Sequence, residues 1–250
     1  MDQIYLVWLL LCLLMVGDFK SEQLKYSRVK TAYSEKEKYV QDLLEVKGLE
    51  VDNLEIFIRA FKEEHVLEVW GKNKEDKHFK FIEEYPFCAT SGTLGPKRIE
   101  GDSQIPEGFY FINRFNPQSK FYLSLGINYP NQSDRLLGAK EKLGGDIFIH
   151  GDCVTIGCIP LTSDKIKEVY LMAVEAYNNG QSQIPVHIFP AKLDPKSIEN
   201  LKKRYASKTE LLAFWDNLQD GFIYFEKNKK LPKISILSTG IYKILNEDQH

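Results

Sequence analysis

The chain has 250 residues, is 43% hydrophobic, 12% aromatic and 27% charged, and carries 33 Lys+Arg against 35 Asp+Glu for a net charge of -2. This composition excludes wholesale disorder, a collagen-like repeat and a polytopic membrane protein. The charge balance shows no basic excess of the kind that marks a nucleic-acid partner. Four cysteines are too few for a disulfide scaffold, and a chain of this length buries a core without staples.

Ile4 to Val16 form an almost unbroken apolar run, IYLVWLLLCLLMV, followed by Gly17 and then polar Asp18, Lys20 and Ser21. The run has the length of a signal-peptide core and falls short of the ~20 residues a spanning helix needs. It reads as an export signal over residues 1–17, engaging the membrane only during transit. A buried N-terminal helix is the alternative. Cys12 is not set up for lipidation, because Leu11 precedes it where a small residue is wanted.

Residues 18–53 read as a helical lead-in, with Tyr39, Val40, Leu43, Leu44 and Val46 at helical spacing. From Leu54 the period drops to two. LEIFIRAFK and HVLEVWGK flank Lys62-Glu63-Glu64 and predict a hairpin. HFKFIEEYPFCAT predicts another strand. SGTLGPKRIEGDSQIPEGFYFINRFNP predicts loops around a short strand at Phe109 to Ile112. FYLSLGINYP and DIFIHG add two strands. Thr162-Ser163-Asp164 caps a helix that runs to Tyr177 and stops at Asn178-Asn179-Gly180. PVHIFP is a short strand whose His187 reads as a satisfied structural histidine. Leu201 to Leu218 is mostly helical, and the tail reads as strand again in YFEKN and KISIL. The pattern predicts an α+β, mostly β fold around one core, with a domain over 54–192 and a helix-and-strand extension over 193–250 packed on it.

Chemistry concentrates in IFIHGDCVTIGCIPLTSD. An apolar strand ends at His150, Gly151 breaks it, and Cys153, Thr155, Gly157 and Cys158 follow. A free thiol is mostly neutral at pH 7, so a nearby imidazole that takes its proton makes it a nucleophile. Gly157 clears the approach to the Cys158 sulfur and leaves backbone N–H groups for an oxyanion. Thr155 is placed to hydrogen-bond the imidazole or the loop backbone. Three blander readings stand beside this one: buried cysteines acting as small hydrophobes, a Cys153–Cys158 disulfide, and zinc held by His150, Asp152, Cys153 and Cys158 without the usual C-x-x-C spacing.

IHG followed by T-x-G-C resembles the active-site signature of the L,D-transpeptidase catalytic domain (YkuD-like) family, and of its YafK-like branch most closely. GPKRIEGDSQIPEGFYFI resembles that family's G-x-K-x-x-x-G-D-x-x-T-P-E-G-x-Y block, with Ile105 at the Thr position. NPQSKFYLSLGINYPNQSD resembles the branch's N-P-x-S-x-F-x-L-S-L-x-I-x-Y-P-N block. The similarity runs from about Tyr85 to Pro190, with a weaker echo at FWDNL and YFEK.

The resemblance implies a β-sandwich or barrel catalytic domain with peripheral helices, located in the periplasm or cell envelope and acting on peptidoglycan stem peptides. It implies Cys158 as nucleophile, His150 as base, Thr155 at the motif's Ser/Thr position, and Gly157 with the Cys158 N–H at the oxyanion. The alternative activity is hydrolysis at diaminopimelate, including release of a wall-attached lipoprotein. A catalytically silent peptidoglycan-binding module is a further alternative. No cofactor and no metal are expected. Ile156 stands where the wider family has His, and Pro160 where it has Arg or Asn, so a carboxylate contact must come from elsewhere. Lys97, Arg98, Arg114 and Arg135, with Tyr129 on the cleft wall, are the candidates. Asp102 and Asp134 read as turn-forming carboxylates. Cys153 is expected to be inert packing, with a disulfide to Cys158 as the alternative.

Overall fold

The structure is a computed structural model and describes residues 18–139 and 142–245. The proposed signal segment, Cys12 included, lies outside the described residues. Within them, no helix is long and apolar enough to cross a membrane.

Eight strands form one curled sheet in the order β3-β2-β1-β8-β4-β5-β6-β7. Their ranges are β1 Leu54–Phe61, β2 Val66–Asn73, β3 Lys80–Pro86, β4 Gly108–Asn116, β5 Ser124–Ile127, β6 Phe148–His150, β7 Ile159–Pro160 and β8 Ile184–Phe189. β1 and β2 pair antiparallel from Leu54↔Asn73 to Phe61↔Val66, as the alternating pattern predicts. β8 inserts parallel to β1 and antiparallel to β4, so the middle of the sheet joins distant parts of the chain.

Alternation gives the sheet two unlike faces. Ile56, Ile58 and Ala60 of β1, Val186 and Ile188 of β8, and Tyr110 and Ile112 of β4 point into the main core. Two helices cover that face, α2 (Ser27–Val46) and α4 (Ser163–Asn178), preceded by the short α1 (Phe19–Gln23). Thr162 caps α4 by accepting the Lys165 N–H. Val29, Ala32, Tyr33, Val40 and Leu44 repeat at helical spacing and are buried. The lead-in therefore belongs to the core.

The opposite face carries Phe57, Phe61, Phe109, His187 and Phe189. Half of it is covered by α5 (Pro195–Arg204), α6 (Thr209–Asn228) and the β9–β10 hairpin (Lys233–Ile236 and Tyr242–Leu245). The strand reading of YFEKN is wrong. Those residues are the end of α6, because Trp215, Leu218, Phe222 and Phe225 bury a 3.6-period stripe that runs through the segment. Arg59 lies beneath this cover, paired with Glu68 at 2.6 Å and Glu226 at 2.6 Å. The other half of the face, over β5, β6 and β7, holds the residues singled out above.

Candidate active site

His150 ends β6 and pairs with Pro160 of the parallel β7, while Ile149 pairs with Ile159. Side chains at paired positions share a face, so Ile149 and Ile159 enter the core and His150 faces the opposite side. Cys158 lies in the bend two residues before Pro160, so the same pairing brings it alongside β6. The eight-residue interval between His150 and Cys158 is thus closed by strand pairing rather than by helix spacing.

His150 is 1% exposed, and its Nδ1 donates to the Gly151 carbonyl at 2.5 Å. That bond leaves Nε2 as the acceptor nitrogen. Phe121 packs on the ring with centroids 4.7 Å apart. Burial pushes the imidazole pKa below its ordinary value, against a smaller opposing pull from the Gly151 carbonyl. The ring is therefore neutral at pH 7.

Cys158 carries the free thiol. Its Sγ donates to the Asp146 carbonyl at 3.7 Å. Burial pushes the thiol pKa up, while the Phe148 N–H and the more distant Lys97 charge oppose the shift. No hydrogen bond joins Sγ to the imidazole among the described residues. Thiol and imidazole therefore both stand neutral beside the paired strands β6 and β7.

The loop between them is held by Thr155. Its Oγ1 accepts the N–H groups of Gly157 at 3.2 Å and Cys158 at 2.9 Å and donates to the Cys158 carbonyl at 2.8 Å. The sequence leaves those N–H groups available for an oxyanion; in the structure the Thr155 hydroxyl occupies both. Thr155 holds the Cys158 backbone. Gly157 has φ +130°, and a Cβ there would lie 3.0 Å from the Gln104 carbonyl, so this position requires glycine.

Cys153 is neither inert packing nor a partner for Cys158. It is bonded to Cys88, 65 residues away. Cys88 sits just past β3, and its N–H donates to the Pro160 carbonyl at 3.1 Å. The β3 exit thereby reaches both ends of the loop that bears Cys158. Counting could have found this pair: without the leader, three cysteines remain, and one free nucleophile leaves two. The zinc alternative fails with it, since Cys153 is consumed and no cluster of metal-ligating side chains exists among the described residues.

The five candidate substrate contacts separate. Arg114 shares Asp146 with Cys158, donating to its carboxylate at 2.6 Å with its guanidinium 4.7 Å from the Phe148 ring. Lys97 is buried and bound to Asp102 at 2.6 Å, so it acts at Cys158 through its field alone. Arg98 pairs with Asp134 and covers Phe214. Arg135 donates to the Pro130 carbonyl. The Tyr129 hydroxyl donates to the Leu143 carbonyl at 3.1 Å and lies 3.4 Å from that of Lys97. Arg135 and Tyr129 both line a separate cavity of about 540 Å3. Asp102 is the turn carboxylate expected, accepting the N–H groups of Arg98, Ile99 and Gln104. Asp134 closes a capping box with Asn131 at the start of α3 (Gln132–Leu137) and binds the Tyr110 hydroxyl. Phe121, Asp146 and Gln104 had no signal of their own in the sequence.

Comparison with known proteins gives the family. The profile of the L,D-transpeptidase catalytic domain, YkuD, matches residues 55–188. The chain is 34% identical over 197 residues to YafK of Escherichia coli strain K12, provisionally named an L,D-transpeptidase, covering 78% of this chain and 76% of that one. Among solved structures, the helical cell shape determining protein Pgp2 of Campylobacter jejuni is 20% identical, with 75% of this chain and 74% of that chain covered and a TM-score of 0.44. Bd1075 of Bdellovibrio bacteriovorus is 25% identical over 62% of this chain and 55% of that one, with a TM-score of 0.39. The matched span takes in both His150 and Cys158, and on the strength of that match the chain belongs to the L,D-transpeptidase catalytic domain family.

Proposed function

We propose that this protein is an exported cysteine L,D-transpeptidase that acts on peptidoglycan stem peptides through a Cys158 thioester. The observation that carries the reading is the free Cys158 thiol in the bend before β7, alongside a buried, neutral His150 at the end of the paired β6 whose Nε2 is left as acceptor. His150 Nε2 takes the thiol proton as sulfur attacks the carbonyl that joins the L-centre of diaminopimelate to D-alanine. The C–N bond breaks, His150 returns the proton to the leaving amine, and a thioester remains. An incoming amine, deprotonated by the same imidazole, completes transpeptidation; water completes hydrolysis.

A neutral pair suits this sequence of events, because the base must be unprotonated before it can accept. The hydrogen bond from Sγ to Asp146 is exchanged for one to Nε2 when substrate arrives, as catalytic contacts tighten in the complex. The Cys158 and Gly157 amides serve the oxyanion by sharing their protons between it and Thr155. Arg114, exposed beside Asp146, is the cation placed for a stem carboxylate. Export is supported by the apolar leader of residues 4–16 and by the Cys88–Cys153 disulfide, a bond that persists in oxidising compartments.

The test is intact-protein mass spectrometry with a diaminopimelate-containing tetrapeptide muropeptide, with and without an amine acceptor, beside Cys158→Ala. An acyl adduct or product that needs Cys158 supports the thioester. Amine products identify the transpeptidase and water products the hydrolase. Turnover by Cys158→Ala would sink the mechanism. Ligand bound with neither adduct nor product would identify a binding module.

A further inference from the structure

We propose that the cavity of about 540 Å3 between β4, the start of α3 and the β9–β10 hairpin is a saccharide subsite, which holds the sugar that carries the stem peptide. The inference rests on the stem-peptide reading of the Cys158 site and adds to it a second contact on the same substrate.

The lining points to a neutral, hydroxyl- and amide-bearing ligand. Asn113, Asn128 and Gln132 present carboxamides, and no acidic side chain lines the cavity. The side chains of Asn113 and Gln132, both exposed, have no hydrogen-bond partner among the described residues. Asn128 spends only its Oδ1, accepting the Phe111 N–H at 2.8 Å, which leaves its amide protons for a ligand. A peptide amine would find no counter-charge here, whereas sugar hydroxyls and acetamido groups need only amides and aromatic faces such as Phe111. Arg135 supplies one cation at the edge.

His187 forms part of the cavity wall, so its imidazole reports on what enters. It lines the same cavity, is 4% exposed, and its Nδ1 has no hydrogen-bond partner. Phe57 and Phe109 pack on its ring at 4.6 and 4.7 Å. A buried ring nitrogen without a partner is costly in a core otherwise built from aromatics.

The cavity is also at the right distance. Cys158 sits beside Phe148 of β6, Phe148 pairs with Gly126 of β5, and Gly126 pairs with Arg114 of β4, next to Asn113. Three strand spacings separate the nucleophile from Asn113, about 14 Å. From the reacting carbonyl back to the sugar, a stem contains three residues, which extend about 10 Å. The sugar ring beyond them therefore starts within about one strand spacing of the near wall of the cavity. Gly126 keeps the path low: a Cβ there would lie 3.2 Å from Arg114 Cβ, Asn113 Oδ1 and Phe148 Cε1 alike.

Two measurements on the full chain test this, with Asn113→Ala/Gln132→Ala as the variant. The first titrates the protein with the N-acetylglucosaminyl–N-acetylmuramic acid disaccharide, without peptide, and follows the His187 imidazole by NMR. The second compares kcat/KM for the disaccharide-tetrapeptide and the free tetrapeptide. We expect saturable disaccharide binding that shifts the His187 signals and weakens about tenfold in the variant. We expect a wild-type preference for the sugar-bearing substrate that falls to about unity in the variant, while turnover of free peptide is unchanged. Absence of saturable binding together with equal use of both substrates overturns the proposal, as does binding that the variant leaves intact. Variant-sensitive disaccharide binding without turnover of either substrate retains the saccharide site and removes the transpeptidase reading.

Discussion

The hydroxyl of Thr155 closes on the Cys158 peptide from both sides, accepting its N–H at 2.9 Å and donating to its carbonyl at 2.8 Å. Such a clamp fixes the backbone that aims the sulfur. Thr155→Val keeps the shape and removes the bonds. It should cost about 1–2 kcal/mol of stability and lower kcat by about 10- to 100-fold. Thr155→Ser should retain most of both. Denaturant melts and single-turnover kinetics on the two variants check this, and a fully active Thr155→Val would remove Thr155 from the catalytic account.

Cys158 and His150 shift in the directions that keep both neutral, the thiol raised and the imidazole lowered by burial. The acid limb of kcat/KM should therefore fall below pH 6.5, since activity is lost only when His150 takes up a proton. Alkylation of Cys158 by iodoacetamide should be slow at pH 7 and accelerate above the ordinary thiol range. His150→Gln should lower kcat by about 10²- to 10⁴-fold. Rapid alkylation at pH 6 would reveal a preformed thiolate and overturn the neutral pair.

Opening the Cys88–Cys153 bridge releases a 65-residue loop. The chain-entropy cost is about 4 kcal/mol. Cys88→Ser, Cys153→Ser and the double variant should be destabilised alike, because each loses the same bond. Urea unfolding with and without reductant measures this. Thiol titration of the oxidised protein, freed of residues 1–17, should find one reactive group, and that group should vanish in Cys158→Ala.

His187 is buried among aromatics, and its pKa is pushed down to about 3 by desolvation, with the Arg59 charge adding to the effect. The unfolded chain binds this proton near pH 6.5, so between pH 6.5 and 3 it holds more protons than the native state. Stability should fall as pH falls through that window, by about 1.4 kcal/mol per pH unit for this group. Asp134, raised to about 6, works in the opposite sense between about pH 4 and 6. It is common to wild type and His187→Phe, so the difference between their pH profiles isolates the histidine. Parallel profiles would refute the assignment.

Much of this architecture was legible because the periods are clean. β1 and β2 show strict alternation around a charged turn, and α4 begins at a Thr cap and ends at Asn-Asn-Gly. The end of α6 was misread because Tyr224, Phe225 and Glu226 alternate locally, and only the longer stripe from Trp215 to Phe225 shows a helix. The pair His150 and Cys158 was visible as a motif, but its closure by parallel pairing of β6 and β7 was not, since a two-residue strand carries no periodicity. Cys88 was invisible as a partner because contact across 65 residues is a property of the fold. The cations could be nominated only by charge type. Which of them faces Cys158 depends on loops whose paths are set by bonds such as Glu100 N–H to the Lys142 carbonyl at 2.8 Å.

Three cysteines lie in the described chain, at 88, 153 and 158, and they can be joined in pairs in three ways. Two of those pairings consume the nucleophile, so oxidation in the wrong order would yield a folded-looking but inert protein. The hydrogen bonds from Phe87 N–H to the His65 carbonyl at 2.7 Å and from Cys88 N–H to the Pro160 carbonyl at 3.1 Å seat Cys88 against the sheet independently of any sulfur. That short segment sets Cys88 against Cys153 and leaves Cys158 free.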